Sequence, residues 1–191
     1  MYQKQRTDSE GGEALAQQID LLVIGGGPAG YAGAIRARHL GMSVVVAEKS
    51  SVGGTCLNRG CIPTKALLES AHFYSSLASA KTHGVTLEVQ DLDYAKVVEN
   101  KDQVVHRLVD GLKFLLDKKE IRVIDGEARF LSATEVQVGD ETFAPSKILV
   151  ATGTVPFVLP SLPIDGKRVV DSDQLLDRDV LPKSLVIVGG G

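Results

Sequence analysis

Apolar and polar positions along this chain change period several times, and each change marks an element. Residues 19–24 (IDLLVI) form a short apolar run closed by three consecutive glycines, as a buried strand does. The small and apolar positions Ala29, Ala32, Ala34, Ile35, Ala37 and Leu40 then suit a helix that ends at Gly41. Residues 43–47 (SVVVA) return to a β-branched run, closed by Glu48. Strand, glycine turn, helix and strand within about 30 residues constitute a βαβ unit, whose crossover should be right-handed.

The segment 52–65 (VGGTCLNRGCIPTK) leads into a helical stretch over 65–80, and a polar connection separates it from a long helix over 94–118. In that helix Val97, Val98, Val104, Val105, Leu108, Val109, Leu112, Leu115 and Leu116 form a broad stripe suited to packing on a sheet. From Ile121 the pattern predicts strands in IRVIDGEARF, EVQVG and KILVATG, with a turn at Asp140. Pro156, Pro160, Pro163 and Pro182 punctuate a loop before SLVIVGGG at 184–191, which repeats the strand-plus-glycine opening of LLVIGGGPAG at 21–30. That repeat reads as the first strand of a second nucleotide-binding domain, with the chain cut at its threshold. The expected organisation is a flexible tail or linker over 1–18, an α/β domain over 19–154, and a connector plus first strand over 155–191.

Composition narrows the functional classes. Of 191 residues, 43% are hydrophobic and 24% charged, the balance of a soluble globular chain. Twenty-one basic against 24 acidic residues leave a net charge of −3, so no basic field invites nucleic acid. The longest strongly apolar runs, 21–24 and 148–151, fall far short of the ~20 residues that span a bilayer. The polar tail lacks the apolar stretch of about 7–15 residues that a secretory signal needs, and the expected location is the cytoplasm, with no membrane association. Two cysteines are too few for a disulfide scaffold.

Two motifs carry the chemistry. Gly25-Gly26-Gly27-Pro28-Ala29-Gly30 matches G-x-G-x-x-G. Gly25 permits the tight turn, Gly27 lets the backbone approach a pyrophosphate, and Gly30 lets helix and strand pack closely. Glu48 ends the next strand about 20 residues on, where a carboxylate accepts hydrogen bonds from ribose hydroxyls; a solvated strand end is the plainer reading. The turn does not distinguish FAD from NAD.

Cys56 and Cys61 are five residues apart. In an undistorted helix such positions lie about 8.7 Å apart between Cα atoms, whereas a disulfide needs less than roughly 7 Å. Pairing therefore requires the segment to leave ideal helix, which Gly60 and Pro63 make easiest. A helix N-terminus with Arg59 and Lys65 nearby would lower the thiol pKa values and favour exchange. C-x₄-C is not a zinc spacing and no metal is expected. Spacing alone leaves two inert structural cysteines as an equal alternative.

GGTCLNRGCIPTK resembles the redox-active segment of the pyridine nucleotide–disulfide oxidoreductases. The resemblance extends over GGGPAGYAGAIRARHLG, VVVAEK, DGEARF, ILVATG and LVIVGGG, nearly all of the chain beyond the tail. Arg59 departs from it, since valine is frequent there in the family. The resemblance implies a Rossmann-like FAD-binding domain, a parallel sheet with helices and an antiparallel β-meander. It places the FAD diphosphate on Gly25, Gly27, Pro28, Ala29 and Gly30, a ribose on Glu48 with Lys49 beside it, and further contacts on Gly54 and Thr55. Gly126 and Ala128 would approach the adenosine end, and Ala151, Thr152 and Gly153 resemble a second flavin-domain signature.

It further implies a redox disulfide between Cys56, which exchanges with substrate, and Cys61, which faces the flavin, with Lys65 near the flavin edge. The most similar branch oxidises dihydrolipoamide with NAD⁺, the NAD site lying in a downstream domain. Its partners are lipoyl domains of 2-oxo acid dehydrogenase complexes, and its members are homodimers. The glutathione- and mercuric-reductase branches, an isolated flavin domain without turnover, and an NAD-binding domain with structural cysteines are the alternatives. The family's acid–base His–Glu pair has no match at His39, His72, His83 or His106, and His106 reads as a helix-surface residue.

Overall fold

The computed structural model describes residues 16–190, so most of the expected tail lies outside it. Strand β1 (Gln17–Ile24) starts two residues before the predicted run, because Gln17 and Gln18 pair with Phe143 and Ala144 of the strand β6 (Glu141–Val150). Helix α1 (Pro28–His39) and strand β2 (Val44–Glu48) complete the βαβ unit. Proline at the first helical turn costs α1 no hydrogen bond, since the amides there lack helical partners anyway.

Between β2 and β3 (Arg122–Asp125) the chain makes a helical excursion: α2 (Gly54–Arg59), α3 (Cys61–Leu77), a 3₁₀ turn (Ala80–His83) and α4 (Tyr94–Lys118). Helix therefore begins eleven residues earlier than the apolar pattern places it. Strands β4 (Ala128–Phe130) and β5 (Val136–Val138) form an antiparallel meander with β6, and a short helix α5 (Ser172–Leu176) lies in the connector.

The six strands are ordered β3-β2-β1-β6-β5-β4, with β3, β2, β1 and β6 parallel to one another. Neighbouring Leu21, Leu22 and Val23 point alternately to the two faces of the sheet, as the period of two requires. Leu21 and Val23 join Val44, Val46, Ala34, Ala37, Val109, Leu112 and Leu116 under the helices. Leu22 joins Val45, Ala47, Val136, Val138 and Phe143 under the meander. Pro145 is accommodated in β6 because it lies beyond the last residue paired with β5, Phe143.

The α4 stripe is narrower than predicted. Val109, Leu112 and Leu116 are buried, but Leu108 and Leu115 remain about two-fifths exposed, at 43% and 41%. They flank the seam that meets the sheet. The predicted strand over 184–190 is likewise not found: those residues form no ladder, and Val186 is 88% exposed. A strand exists only through a hydrogen-bonded neighbour, and the described residues offer this segment none. Among the described residues, no helix is long and apolar enough to cross a membrane.

Candidate active site

Parallel strands β2, β1 and β6 all end at the same edge of the sheet. Beyond β1 the chain turns towards β2 on one side while β6 arrives on the other, which opens a crevice where nucleotides bind in doubly wound folds. Backbone bonds tie the strand ends together: Gly25 N–H donates to Ala47 O (2.8 Å), Ala151 N–H to Ile24 O (2.8 Å) and Gly126 N–H to Glu48 O (2.9 Å). The structure thus gathers at one edge the glycine turn, Glu48, Gly126 and Ala151, which the sequence separates by up to 126 positions.

The turn itself depends on missing side chains. Gly25 has φ +103°, and a Cβ there would sit 2.3 Å from Ala151 O. A Cβ on Gly30 would sit 1.8 Å from Gly25 O, so α1 crosses β1 at a distance only glycine allows. Glu48 directs its carboxylate back at the turn, accepting from Gly26 N–H (2.7 Å) and Ser50 N–H (2.9 Å). Lys49 pairs with Glu127 (3.6 Å) at the exposed rim.

Gly53 and Gly54 bring the second motif against the first. Gly53 N–H donates to Gly26 O (2.8 Å), and a Cβ on Gly54 would lie 2.7 Å from Gly27 Cα. Both glycines have positive φ, +98° and +56°, a conformation that other residues adopt only with strain. Helix α2 thereby starts beside the N-terminus of α1, with Thr55 exposed in its first turn. Sequence reasoning missed Gly53 and Asn58. The Asn58 amide donates to Val52 O (3.1 Å) and Gly54 O (3.0 Å), bracing α2 from within.

The cysteine segment breaks between its two thiols, as pairing would require. Helix α2 ends at Arg59, Gly60 leaves helical conformation (φ −141°, ψ −102°), and α3 begins at Cys61. A Cβ on Gly60 would press on Thr55 O at 3.1 Å. Pro63 is buried in the first turn of α3, where its missing N–H costs nothing. Across this break Cys56 and Cys61 are free cysteines, one half-buried and the other exposed, close enough for each thiol to affect the other. The structure shows no bond between the two sulfurs.

The expectation of a lowered Cys56 pKa is not met. Its hydrogen bond with Cys61 raises the thiol above its usual range, and burial and the Cys61 charge add to the effect. Lys65 opposes it, being close enough for its charge to act on the sulfur. Arg59 does not share that role, because its guanidinium pairs with Asp173 of α5 at 3.3 Å. Among the described residues, no cluster of three His, Cys, Asp or Glu side chains could hold a metal ion.

These residues fit an FAD diphosphate. Tyr31 N–H is bonded to Gly27 O (2.9 Å), so the amides before it emerge from the N-terminus of α1, where partial positive charge favours phosphate. Beside Gly27 the space a Cβ would take meets only Gly54 Cα, at 3.7 Å. A groove of about 610 Å³ lies past the end of β2, lined by Ser50, Ser51, Lys113, Asp117 and Asp125 among others.

The chain is similar to dihydrolipoyl dehydrogenases of Bacillus subtilis, at 43% identity over 91% of its length, and of Geobacillus stearothermophilus, at 41% over 93%. It spans only 39% and 38% of those relatives. Among solved structures it resembles the HOCl-induced flavoprotein disulfide reductase RclA from Escherichia coli, with a TM-score of 0.70 and 31% identity. It also resembles LpdA from Mycobacterium tuberculosis, with a TM-score of 0.76 and 25% identity. Both superpositions cover 85% of this chain, and 35% and 38% of those chains. The family model of the pyridine nucleotide-disulphide oxidoreductases matches residues 19–191, and the chain belongs to that family.

Proposed function

We propose that the chain carries the redox pair and the FAD-binding part of an enzyme that oxidises dihydrolipoamide with NAD⁺. The observation that carries this reading is the contact of Cys56 with Cys61 across the Gly60 break, beside the glycine turn that fits a dinucleotide. The names of the dihydrolipoyl dehydrogenase relatives support the substrate.

In the proposed cycle Cys56 and Cys61 start as a disulfide. A substrate thiolate attacks Cys56 Sγ and the Cys61 thiolate leaves. The second substrate thiol then closes on the first, so the substrate disulfide departs and both cysteines are left reduced. Two electrons have passed from substrate to protein, and the protons released go to the thiolates or to solvent. Gly27 and the first-turn amides of α1 would hold the FAD diphosphate, Glu48 a ribose, and Gly126 and Ala128 the adenosine end. Bound FAD supplies the two-electron link between sulfur exchange and hydride transfer to NAD⁺. Lys65 keeps positive charge beside the pair and favours the thiolate state that exchange requires. The NAD site would lie outside this domain. Lipoyl domains of 2-oxo acid dehydrogenase complexes are the proposed partners, in the cytoplasm and with a homodimeric enzyme.

The visible spectrum during dithiol titration tests this. A yellow protein that gains long-wavelength absorbance on adding one equivalent of dihydrolipoamide, and then reduces NAD⁺, supports the reading. Two cysteines that stay free under mild oxidant would refute it. Turnover with glutathione disulfide but none with lipoamide would move the substrate to another branch of the family.

A further inference from the structure

We propose that Arg59 is a positioning residue for the cysteine pair: its ion pair with Asp173 fastens the inter-cysteine segment to α5, while buried Lys101 fastens α5 to α4. The proposal rests on reading Cys56 and Cys61 as an exchanging pair, and adds what holds the two sulfurs in register.

Cys61 stands on α3, whose seventeen residues pack along α4. Its position is therefore set by a long helix anchored in the core through Val109, Leu112 and Leu116. Cys56 stands on α2, which has six residues and is cut from α3 at Gly60. A helix that short does not hold itself: Gly53 and Gly54 dock its start on the glycine turn, while its far end meets a glycine break, which is a hinge unless something spans it. Arg59 is the last residue of α2, adjacent to the break, and its guanidinium reaches Asp173 in the first turn of α5.

Helix α5 is shorter still, five residues, yet both its ends are secured. Asp171 caps the N-terminus, accepting from Gln174 N–H (2.8 Å) while the Gln174 side chain accepts from Asp171 N–H (3.3 Å). At the C-terminus the Leu176 carbonyl accepts from Lys101 Nζ at 3.0 Å. Lys101 is only 3% exposed, and its ammonium also meets Asp102 at 2.8 Å and Asp177 at 3.6 Å. A buried lysine needs such compensation, and here Asp102 on α4 shares it with the last turn of α5 and the residue after it. The route from Cys56 through Arg59, Asp173, α5 and Lys101 ends on α4, the same helix that carries α3 and Cys61. Both sulfurs are thus referenced to one rigid element.

Arg59 is 54% exposed and Asp173 23%, so the pair adds little to global stability; its effect belongs to the local geometry. The test uses the full-length, FAD-loaded protein, reduced and then closed by excess oxidised dithiothreitol. In that reaction one cysteine thiolate opens the reagent's disulfide, and the other displaces dithiothreitol as its dithiol. Arg59→Met keeps the aliphatic stem without the charge, and Asp173→Asn leaves the redox segment's own sequence intact. Each should slow closure about two- to fivefold, the scale of one exposed ion pair, and speed amide exchange over 56–62. The pH midpoint of closure should not move. Arg59→Lys, or the reversed pair Arg59→Asp with Asp173→Arg, should recover most of the rate.

Unchanged closure and exchange in both single variants would overturn the proposal. So would a shifted pH midpoint with unchanged exchange, since Arg59 would then act on the sulfurs through charge. Should Arg59→Met not fold, Asp173→Asn reads the same contact. A wild-type protein that never forms the bond would instead refute the redox reading itself.

Discussion

Replacing Gly30 by alanine separates two opposing effects within one helix. In a helix interior alanine is favoured over glycine by about 1 kcal/mol. At Gly30, however, the added Cβ would lie 1.8 Å from Gly25 O, and real Cβ atoms essentially never approach below 3.0 Å, so α1 must retreat by at least 1.2 Å. The obstacle is backbone, held by the bond from Gly25 N–H to Ala47 O and wedged against Ala151, so it cannot rotate aside. Taking overpacking at about 3 kcal/mol against the propensity gain, the variant should be about 2 kcal/mol less stable. That corresponds to a Tm lower by about 4–8 °C.

Two glycines serve as internal controls. A Cβ on Gly33, also in α1, meets only Leu149 Cδ2, the end of a flexible side chain, at 2.6 Å; one on exposed Gly111 in α4 meets nothing within 4 Å. Gly33→Ala should fall within about 1 kcal/mol of neutral, and Gly111→Ala should gain roughly 0.5–1 kcal/mol. Urea unfolding of the three variants, with FAD titration of each, gives the ranking. Only Gly30→Ala should also lose FAD affinity, because it alone moves the N-terminus of α1. A Gly30→Ala protein as stable as Gly111→Ala would refute the contact on which the site's construction rests.

Cys61→Ala removes the hydrogen bond that holds Cys56 up, so the pH midpoint of Cys56 alkylation should fall; Lys65→Met removes the opposing charge and should raise it. Iodoacetamide rates against pH measure both, and movement in the same direction would contradict the assignment. Glu48→Gln leaves one acceptor where the carboxylate now serves Gly26 and Ser50, and should cost about 1.5–3 kcal/mol in urea unfolding. Lys101→Met leaves the Leu176 carbonyl without its donor, a penalty of about 1–3 kcal/mol; amide exchange over 172–176 should rise well before the core opens.

What could be read along the chain was whatever depends on neighbours in sequence. The apolar runs over 19–24 and 43–47, the glycine turn and the span of α4 are local, and they appear in the structure close to where the pattern put them. Helix α2 was missed because glycine, threonine, cysteine and asparagine are indifferent helix formers; it forms because Gly53 and Gly54 dock on the first motif. The α4 stripe was drawn too wide because periodicity records which residues are apolar, not how much sheet lies opposite. Nothing in the pattern marks Lys101 for burial, which a helix end arriving from 75 residues away makes tolerable together with the adjacent Asp102.

The cysteine segment divides along the same line. That the helix must break if Cys56 and Cys61 are to pair follows from bond lengths and helical rise, and Gly60 is where it breaks. How the broken ends are kept together does not follow, because Arg59 is read beside Lys65 as another positive charge near a thiol. Charge, however, acts where its atoms are: the guanidinium is drawn off to Asp173, while Lys65 remains to act on Cys56. Two cations with the same sequence-level role thus part into an electrostatic one and a mechanical one. Because the partner that parts them lies 114 positions further along the chain, no window around the motif could have divided those roles.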